Sequence, residues 1–420
     1  MTDPSPRSKN TMPAFYLSQR VRQITVSPNA VANQRAQELA AKGMPILNLT
    51  VGEPDFDTPD AIKEAGIAAI RRGDTKYTPV AGTAALRAAI RDKLQRENSL
   101  NYPIEQIMVA NGAKQIIFNA FAATLDEGME VVIPAPYWPS FPDMVRINGG
   151  RPVFVPTVPE SDFKPDAPAV ERAITPHTRW LVLNSPSNPA GAVYGEAEFA
   201  ALAQVLRRHP QVLLLLDELY EHVRFDQRPR VHFLAVAPDL ADRVLVVNGV
   251  SKTYAMTGWR LGYGAGPLPL VQAMTAVQSQ SSSGAGSISQ AAALEALAGD
   301  QSFVADAAAA YAKRRDALVS GLAAIDGIDV AAPEGAFFVY AGCAGLLGRT
   351  TPAGKALRSD TDAVDYLLTS AGVATVDGAS FGLSPYVRFS LAVSTATIDD
   401  ACERIRRACA ALLPRTEAAA

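Results

Sequence analysis

Lys252 and Arg260 stand eight residues apart in "SKTYAMTGWRLGYG" (251–264), directly after the apolar run "RVLVVNGV". An ammonium carried into a packed region is costly unless its pKa falls or its charge is used. On its own such a lysine reads as a solvated loop residue. Other apolar runs, however, also end on groups able to do chemistry. "VVIPAP" leads to Tyr137 and Trp138, "WLVLNSPSNP" ends at Asn188, and "VLLLLD" ends at Asp217 with Tyr220 three residues on. Taken singly, Trp138 could be core, Asn188-Pro189 a turn and Asp217 a helix cap. Together they are an amine, a carboxylate, a phenol, an amide and an aromatic plane.

Pyridoxal 5′-phosphate is a ligand that needs this set. Its aldehyde takes the Lys252 amine as a Schiff base, and its ring nitrogen stays protonated beside a buried carboxylate such as Asp217. Tyr220 and Asn188 can hydrogen-bond its phenolic oxygen, and Trp138 can stack on its ring. The phosphate needs donors. "VANGAKQIIFNAF" (109–121) sets a small turn before a helix, so that the N–H groups of Ala113 and Lys114 face an anion. Arg260 adds a guanidinium fork and Ser251 a hydroxyl.

The elements that must hold these groups follow from the pattern. Near-continuous apolar runs, "MEVVIPAPYW", "RPVFVPT", "RWLVLNSPSNP", "QVLLLLDELY" and "RVLVVNGVSK", alternate with the helical stretches "AKQIIFNAFAATL", "DAPAVERAI" and "EAEFAALAQVLRR". That alternation predicts an α/β fold, with a mainly parallel sheet buried on both faces and ligand groups at the carboxyl ends of its strands. Beyond residue 300 one long helix, "FVADAAAAYAKRRDALVSGLAAI", and the strands "GAFFVYAGC" and "YVRFSLAVS" predict a smaller α+β lobe. At 420 residues two lobes are expected. We expect residues 1–13 to be a mobile arm and 14–49 a segment packing with the small domain. Residues 50–304 would form the large coenzyme-binding domain and 305–420 the small one.

Composition removes other classes. A net charge of −3 with mixed signs gives no nucleic-acid surface, and no apolar run approaches the roughly 20 residues of a membrane span. The polar start "MTDPSPRSKNTMP" has no secretory h-region. Cys343, Cys402 and Cys409 have no CxxC spacing. Ile398, Cys402, Ile405, Cys409 and Leu412 form one helical stripe, as expected of core residues in a cytoplasmic protein. The four histidines are scattered, so no metal site is expected. No GxGxxG opens a helix, which argues against a nicotinamide dehydrogenase.

At this point the chain resembles the class I pyridoxal-phosphate-dependent aminotransferases of fold type I, from about residue 14 to about 412. The resemblance rests on "LTVGEPDFDTP" (49–59), "TKYTPVAGTAALRAAI" (75–90), "PAPYWPSFPDMV" (134–145), "NSPSNPAG" (184–191), "DELYEH" (217–222), the opening motif and "VRFSLAVS" (387–394). It implies a seven-stranded sheet, Arg388 as the grip on the substrate's α-carboxylate, and Gly52 as backbone against the substrate. It also implies that Tyr77 reaches the coenzyme phosphate of a neighbouring subunit, hence a homodimer with shared sites. Cis peptides are implied before Pro136 and Pro189.

The implied reaction is a ping-pong transfer of an amino group from an amino acid to a 2-oxo acid. Within the family the chain is most similar to the aspartate/prephenate subgroup. Lys114 is then the candidate for the distal carboxylate of aspartate or glutamate, with Asn29 a weaker one. Two departures, Ala190 in "SNPAG" and Gly284-Ala285-Gly286 in "SQSSSGAGSISQ", leave prephenate, aromatic and other amino acids as alternatives. A C–S lyase on the same fold keeps the coenzyme residues too. A regulator that binds DNA would need a further module, for which the 50 residues before "VGEPDF" leave no room.

Overall fold

The computed structural model describes residues 16–226 and 228–414. The expected arm, 1–13, lies outside the described residues. Seven strands form the main sheet: β1 (Ile107–Ala110), β2 (Glu130–Ala135), β3 (Arg151–Pro156), β4 (Thr178–Asn184), β5 (Leu213–Asp217), β6 (Val244–Gly249) and β7 (Gly262–Ala265). Their order is β1-β7-β6-β5-β4-β2-β3, and only β7 runs antiparallel to its neighbours.

Alternating side chains of these strands build two cores. Leu181, Leu183, Leu214, Leu216, Val244 and Val246 face one way, towards helices Ala84–Asn98, Glu196–Arg208 and Ser287–Ala298. Val182, Leu215, Leu245 and Val247 face the other, towards helices Ala113–Thr124 and Leu268–Ser281. Each such fully buried aliphatic side chain stabilises the fold by about 1.5–3 kcal/mol.

"RPVFVPT" departs from the expected two-sided burial. Its strand β3 closes the sheet at one edge, and Phe154 there is 40% exposed. Strands β1 and β7 do not stand out in the sequence. β7, "GYGA", has two glycines, and a Cβ on Gly262 would come 2.2 Å from Ala113 N. Glycine is used there for close backbone approach rather than strand propensity.

The C-terminal region forms a separate core around three strands, β8 (Phe338–Gly342), β9 (Val376–Asp377) and β10 (Tyr386–Ser390), in the order β9-β10-β8. Helices Ser302–Ala323 and Thr395–Ala410 cover it. Cys343, Cys402 and Cys409 are free and buried there, and the expected stripe of Thr395–Ala410 is one of its faces. Residues Leu47–Asn48 pair in parallel with Val373–Ala374, which ties the N-terminal segment to this region. Among the described residues no helix is long and apolar enough to cross a membrane.

Candidate active site

Three strand ends lie earlier than the sequence suggests. β2 stops at Ala135, β4 at Asn184 and β6 at Gly249, so Trp138, Asn188 and Lys252 sit in the following loops. Proline explains the first two, because it supplies no ladder N–H. Ala135–Pro136 and Asn188–Pro189 are cis as the resemblance implies, and so are Ser185–Pro186 and Ser384–Pro385. Asp217 is the last residue of β5, and turns rather than a helix follow it. It is therefore no helix cap.

These loops enclose a cavity of ≈ 230 Å³. Gly52, Ala113, Lys114, Trp138, Asn188, Asp217, Tyr220, Ser251, Lys252 and Arg260 all line it, and so does Asn29 from helix Pro28–Ala41. Two anticipated residues do not. Arg388 is fully buried one side chain behind the cavity, where its Nη1 donates to Asn188 Oδ1 at 3.1 Å. Tyr77 is 95% exposed on the surface of this chain.

Sequence reasoning misses Asn184 and Thr257, which also line the cavity. Asn184 is the true end of β4 and is paired in register with Asp217. Its Nδ2 donates to Asp217 O at 3.0 Å, and its Oδ1 accepts from Asn188 N at 2.8 Å. Its place as the last residue of an apolar run is the signal that could have found it. Thr257 Oγ1 donates to Glu53 Oε2 at 2.7 Å, and no sequence pattern marks it.

The charges in and around the cavity are unusual in their lack of partners. Asp217 is buried and accepts one hydrogen bond, from Leu219 N–H at 3.1 Å, with no ion-pair partner among the described residues. Burial, with Glu218 adding its charge, pushes its carboxyl up to about 7 against the Leu219 N–H and the Lys252 ammonium. Lys252 Nζ donates to Gly52 O at 2.6 Å. Burial lowers its pKa to about 8; Glu53 opposes the shift, while Arg260 and Arg388 add to it.

Arg388 Nη2 donates to Thr50 O at 2.7 Å, and its guanidinium packs 4.2 Å from the Phe338 ring centroid. Its Nε has no partner among the described residues. Burial lowers its pKa to about 10. Lys114 Nζ lies 4.9 Å from the Trp138 ring centroid, and desolvation followed by the Arg260 charge lowers its pKa.

Beside the cavity-lining Ala113 and Lys114, Gly112 takes φ +88° and opens helix Ala113–Thr124. A Cβ on Gly112 would come 2.5 Å from Arg260 Nη2. The N–H groups of Ala113 and Lys114 have no acceptor among the described residues. Arg260, held at φ +53°, donates to the carbonyls of Thr257 and Asn111 and has no carboxylate partner among the described residues. A helix N-terminus, a guanidinium and the Ser251 hydroxyl thus form a cradle for a dianion.

The cavity is therefore bordered by an anion cradle, an uncompensated carboxylate and an amine of lowered pKa. This donor set fits a phosphorylated cationic aldehyde.

Several known proteins resemble this chain over most of its length. The chain is 51% identical over 395 residues to a protein of Rhizobium meliloti (strain 1021) named aspartate aminotransferase, a match covering 94% of this chain and 96% of that one. It is 50% identical to a probable aspartate/prephenate aminotransferase of Rhizobium leguminosarum bv. phaseoli, over 94% and 99% of the two chains. Among solved structures, the aspartate aminotransferase of Rhizobium meliloti superposes with a TM-score of 0.93 at 50% identity, over 95% of this chain and 100% of the other. That of Thermus thermophilus, solved with maleate, gives 0.88 at 42% identity, over 94% and 100%. The family described as aminotransferase class I and II matches residues 44–405, a span holding both the Lys252 loop and the Arg388 strand. By that match and these relatives the chain belongs to the class I and II aminotransferases.

Proposed function

We propose that this aminotransferase holds pyridoxal 5′-phosphate in the Lys252 cavity and transfers the α-amino group of aspartate or glutamate to a 2-oxo acid in a ping-pong course. The observation that carries the proposal is that the Lys252 amine, the Asp217 carboxylate and the Arg260 guanidinium border one cavity, and that Asp217 and Arg260 lack ionic partners among the described residues. When bound, the coenzyme supplies an aldehyde that condenses with amines and a protonated ring that takes up the electron pair left at Cα.

The residues divide that work. Asp217 would hold the ring-nitrogen proton, and Tyr220 and Asn188 would hydrogen-bond the phenolic oxygen. Arg260, Ser251 and the N–H groups of Ala113 and Lys114 would hold the phosphate, and Trp138 would cover the ring. Arg388 takes the substrate's α-carboxylate against Asn188. Lys252 would supply the amine that takes the coenzyme's aldehyde and, once the incoming amino acid's amine has displaced it, the free base that moves the substrate's Cα proton. The Gly52 carbonyl steadies the amine for that movement.

Lys114 is proposed to meet the distal carboxylate, with Asn29, whose Oδ1 is buried without a partner among the described residues, as the second candidate. Two observations favour a dicarboxylic substrate. Relatives of about 50% identity are named for aspartate, and the Thermus thermophilus structure carries maleate, itself a dicarboxylate. The relatives named aspartate/prephenate aminotransferase favour prephenate as a second oxo acid.

We further propose a homodimer in which the exposed Tyr77 reaches the other subunit's phosphate, and lobes divided near residue 304. Three buried free cysteines fit a cytoplasmic protein. The test is spectroscopic. Addition of the coenzyme should give a coloured Lys252 adduct that aspartate bleaches and oxaloacetate restores; Lys252→Ala should give neither change. A panel of amino acids with 2-oxoglutarate, oxaloacetate, pyruvate and prephenate then ranks substrates. Preference for a monocarboxylic donor would overturn the dicarboxylate proposal.

A further inference from the structure

On the side away from the cavity, the turn after Asp217 and the loop around Lys252 are joined by side chains that the proposed chemistry leaves unused. Glu221 is 5% exposed; its carboxylate accepts from Asn248 Nδ2 at 2.6 Å and Asn98 Nδ2 at 3.1 Å, and pairs with the buried Lys93 ammonium. The next residue, His222, places Nε2 2.9 Å from Glu97 Oε2 and Nδ1 3.1 Å from Thr253 Oγ1.

A carboxylate, an imidazole and a hydroxyl in series would activate a nucleophile at an open site. Thr253, however, is 4% exposed and does not line the Lys252 cavity, so its hydroxyl is closed to substrate. Glu97, Glu221 and His222 also stand close enough together to hold a metal ion. The Lys93 ammonium already supplies positive charge there, on Glu221 and 3.5 Å from Glu97.

What remains is mechanical. Asn248 precedes Lys252 by four residues and Thr253 follows it directly, so the two contacts bracket the lysine. Their partners Glu221 and His222 follow Tyr220 directly. With Nε2 on Glu97, the His222 ring turns Nδ1 to the Thr253 hydroxyl. Lys93 and Glu97 both come from helix Ala84–Asn98, which anchors the assembly from outside the sheet.

We propose that Glu221 and His222, the latter oriented by Glu97, are positioning residues for Lys252: they clamp its loop at Asn248 and Thr253 to the turn that carries Asp217 and Tyr220. The proposal rests on Lys252 being the coenzyme lysine. Its logic is that proton transfer tolerates little misplacement of the amine.

The test reads the amine directly. In coenzyme-free protein the pH midpoint for labelling Lys252 with trinitrobenzenesulfonate is followed by peptide mass spectrometry, beside the melting temperature. The charged groups facing Lys252 Nζ are Glu53, Asp217, Arg260 and Arg388, and none of them is altered by the variants. Thr253→Val removes the hydroxyl at constant shape, Thr253→Ser restores it, and His222→Ala removes the imidazole.

We expect Thr253→Val and His222→Ala to raise the midpoint by at least about half a unit, because a released amine regains water. Thr253→Ser should keep the wild-type midpoint. An unmoved midpoint in Thr253→Val overturns the clamp, whatever the melting temperature does. Should His222→Ala fail to fold, Thr253→Val still decides. A wild-type protein that forms no Lys252–coenzyme bond overturns both the coenzyme proposal and this one; a wild type that forms it beside an unmoved Thr253→Val overturns the clamp alone.

Discussion

Without the coenzyme's positive charge beside it, the buried Asp217 carboxylate lowers the stability of the fold. Its carboxyl titrates near 3.8 when unfolded and at about 7 in the fold. A raised folded pKa means that the native state binds the extra proton between those values. The associated stability is full below pH 3.8 and is lost as pH rises through about 7. Asp217→Asn removes the charge and the titration together. Coenzyme-free Asp217→Asn should therefore be more stable than wild type at pH 8, by about 1–3 kcal/mol, with the gain fading towards pH 4. Calorimetry at both pH values checks this. Turnover should fall at least about a hundredfold, the usual exchange of function for stability. Lys252 gives the complementary titration. Only its neutral amine attacks an aldehyde, and its pKa is about 8. Stopped-flow absorbance should show adduct formation rising about tenfold per pH unit up to that value and then levelling. Lys114 carries the substrate prediction. A charge-assisted hydrogen bond is worth about 1.5–3 kcal/mol, so Lys114→Ala should cost roughly 10- to 150-fold in kcat/KM for aspartate and glutamate. Monocarboxylic donors should change little; an equal loss for both classes would remove Lys114 from substrate recognition.

At the scale of elements, the anion cradle depends on two glycines more than on any side chain. Gly112 at φ +88° leaves room for Arg260, and Gly262 lets strand β7 lie against the first turn of helix Ala113–Thr124. Gly112→Ala would push the guanidinium aside and strain the helix entry, at a cost of about 1–3 kcal/mol. Calorimetric titration should show pyridoxal phosphate weakened more than tenfold by this change and unphosphorylated pyridoxal much less. The same elements explain what the sequence makes legible. Strand β5 can be read because its leucines are buried on both faces and it ends on a carboxylate. Helices Ala113–Thr124 and Ser302–Ala323 can be read from their length and their apolar content. Strand β7 cannot, because its glycines answer to backbone proximity rather than to propensity. Strand ends are misjudged by a few residues where proline-rich loops continue the apolar run, as after Ala135 and Asn184. The clamp is hidden for another reason: Glu97, the Glu221-His222 pair, and Asn248 with Thr253 come from three segments far apart in sequence, and each alone reads as an ordinary polar residue. The turn at Gly284, where glycines suggest pliancy, is tied by Asn111 Nδ2 donating to Gly284 O at 3.2 Å. That bond also is invisible before folding.

At the scale of the whole molecule, the chain by itself leaves its site short of one anticipated group. Tyr77 is almost fully exposed, and Ile67 and Ile70 of the preceding helix Asp60–Arg72 are partly exposed with it. Apolar groups left on such a surface suit an isologous contact with a second copy. If each site takes its lysine from one subunit and its tyrosine from the other, two defective proteins should repair each other. Lys252→Ala keeps Tyr77, and Tyr77→Ala keeps Lys252. A heterodimer of the two contains one site with both residues intact and one with neither. After dissociation and reassembly of an equal mixture, half the dimers are mixed, so about a quarter of all sites should regain wild-type behaviour. Each variant reassembled with itself should show none of this recovery, because no exchange can complete a site. The measurement is turnover of aspartate with 2-oxoglutarate in the reassembled mixture, with the dimer fraction fixed by sedimentation. A site built within one subunit gives a different number: the mixture would then show only the average of the two parent activities, however completely the subunits had exchanged.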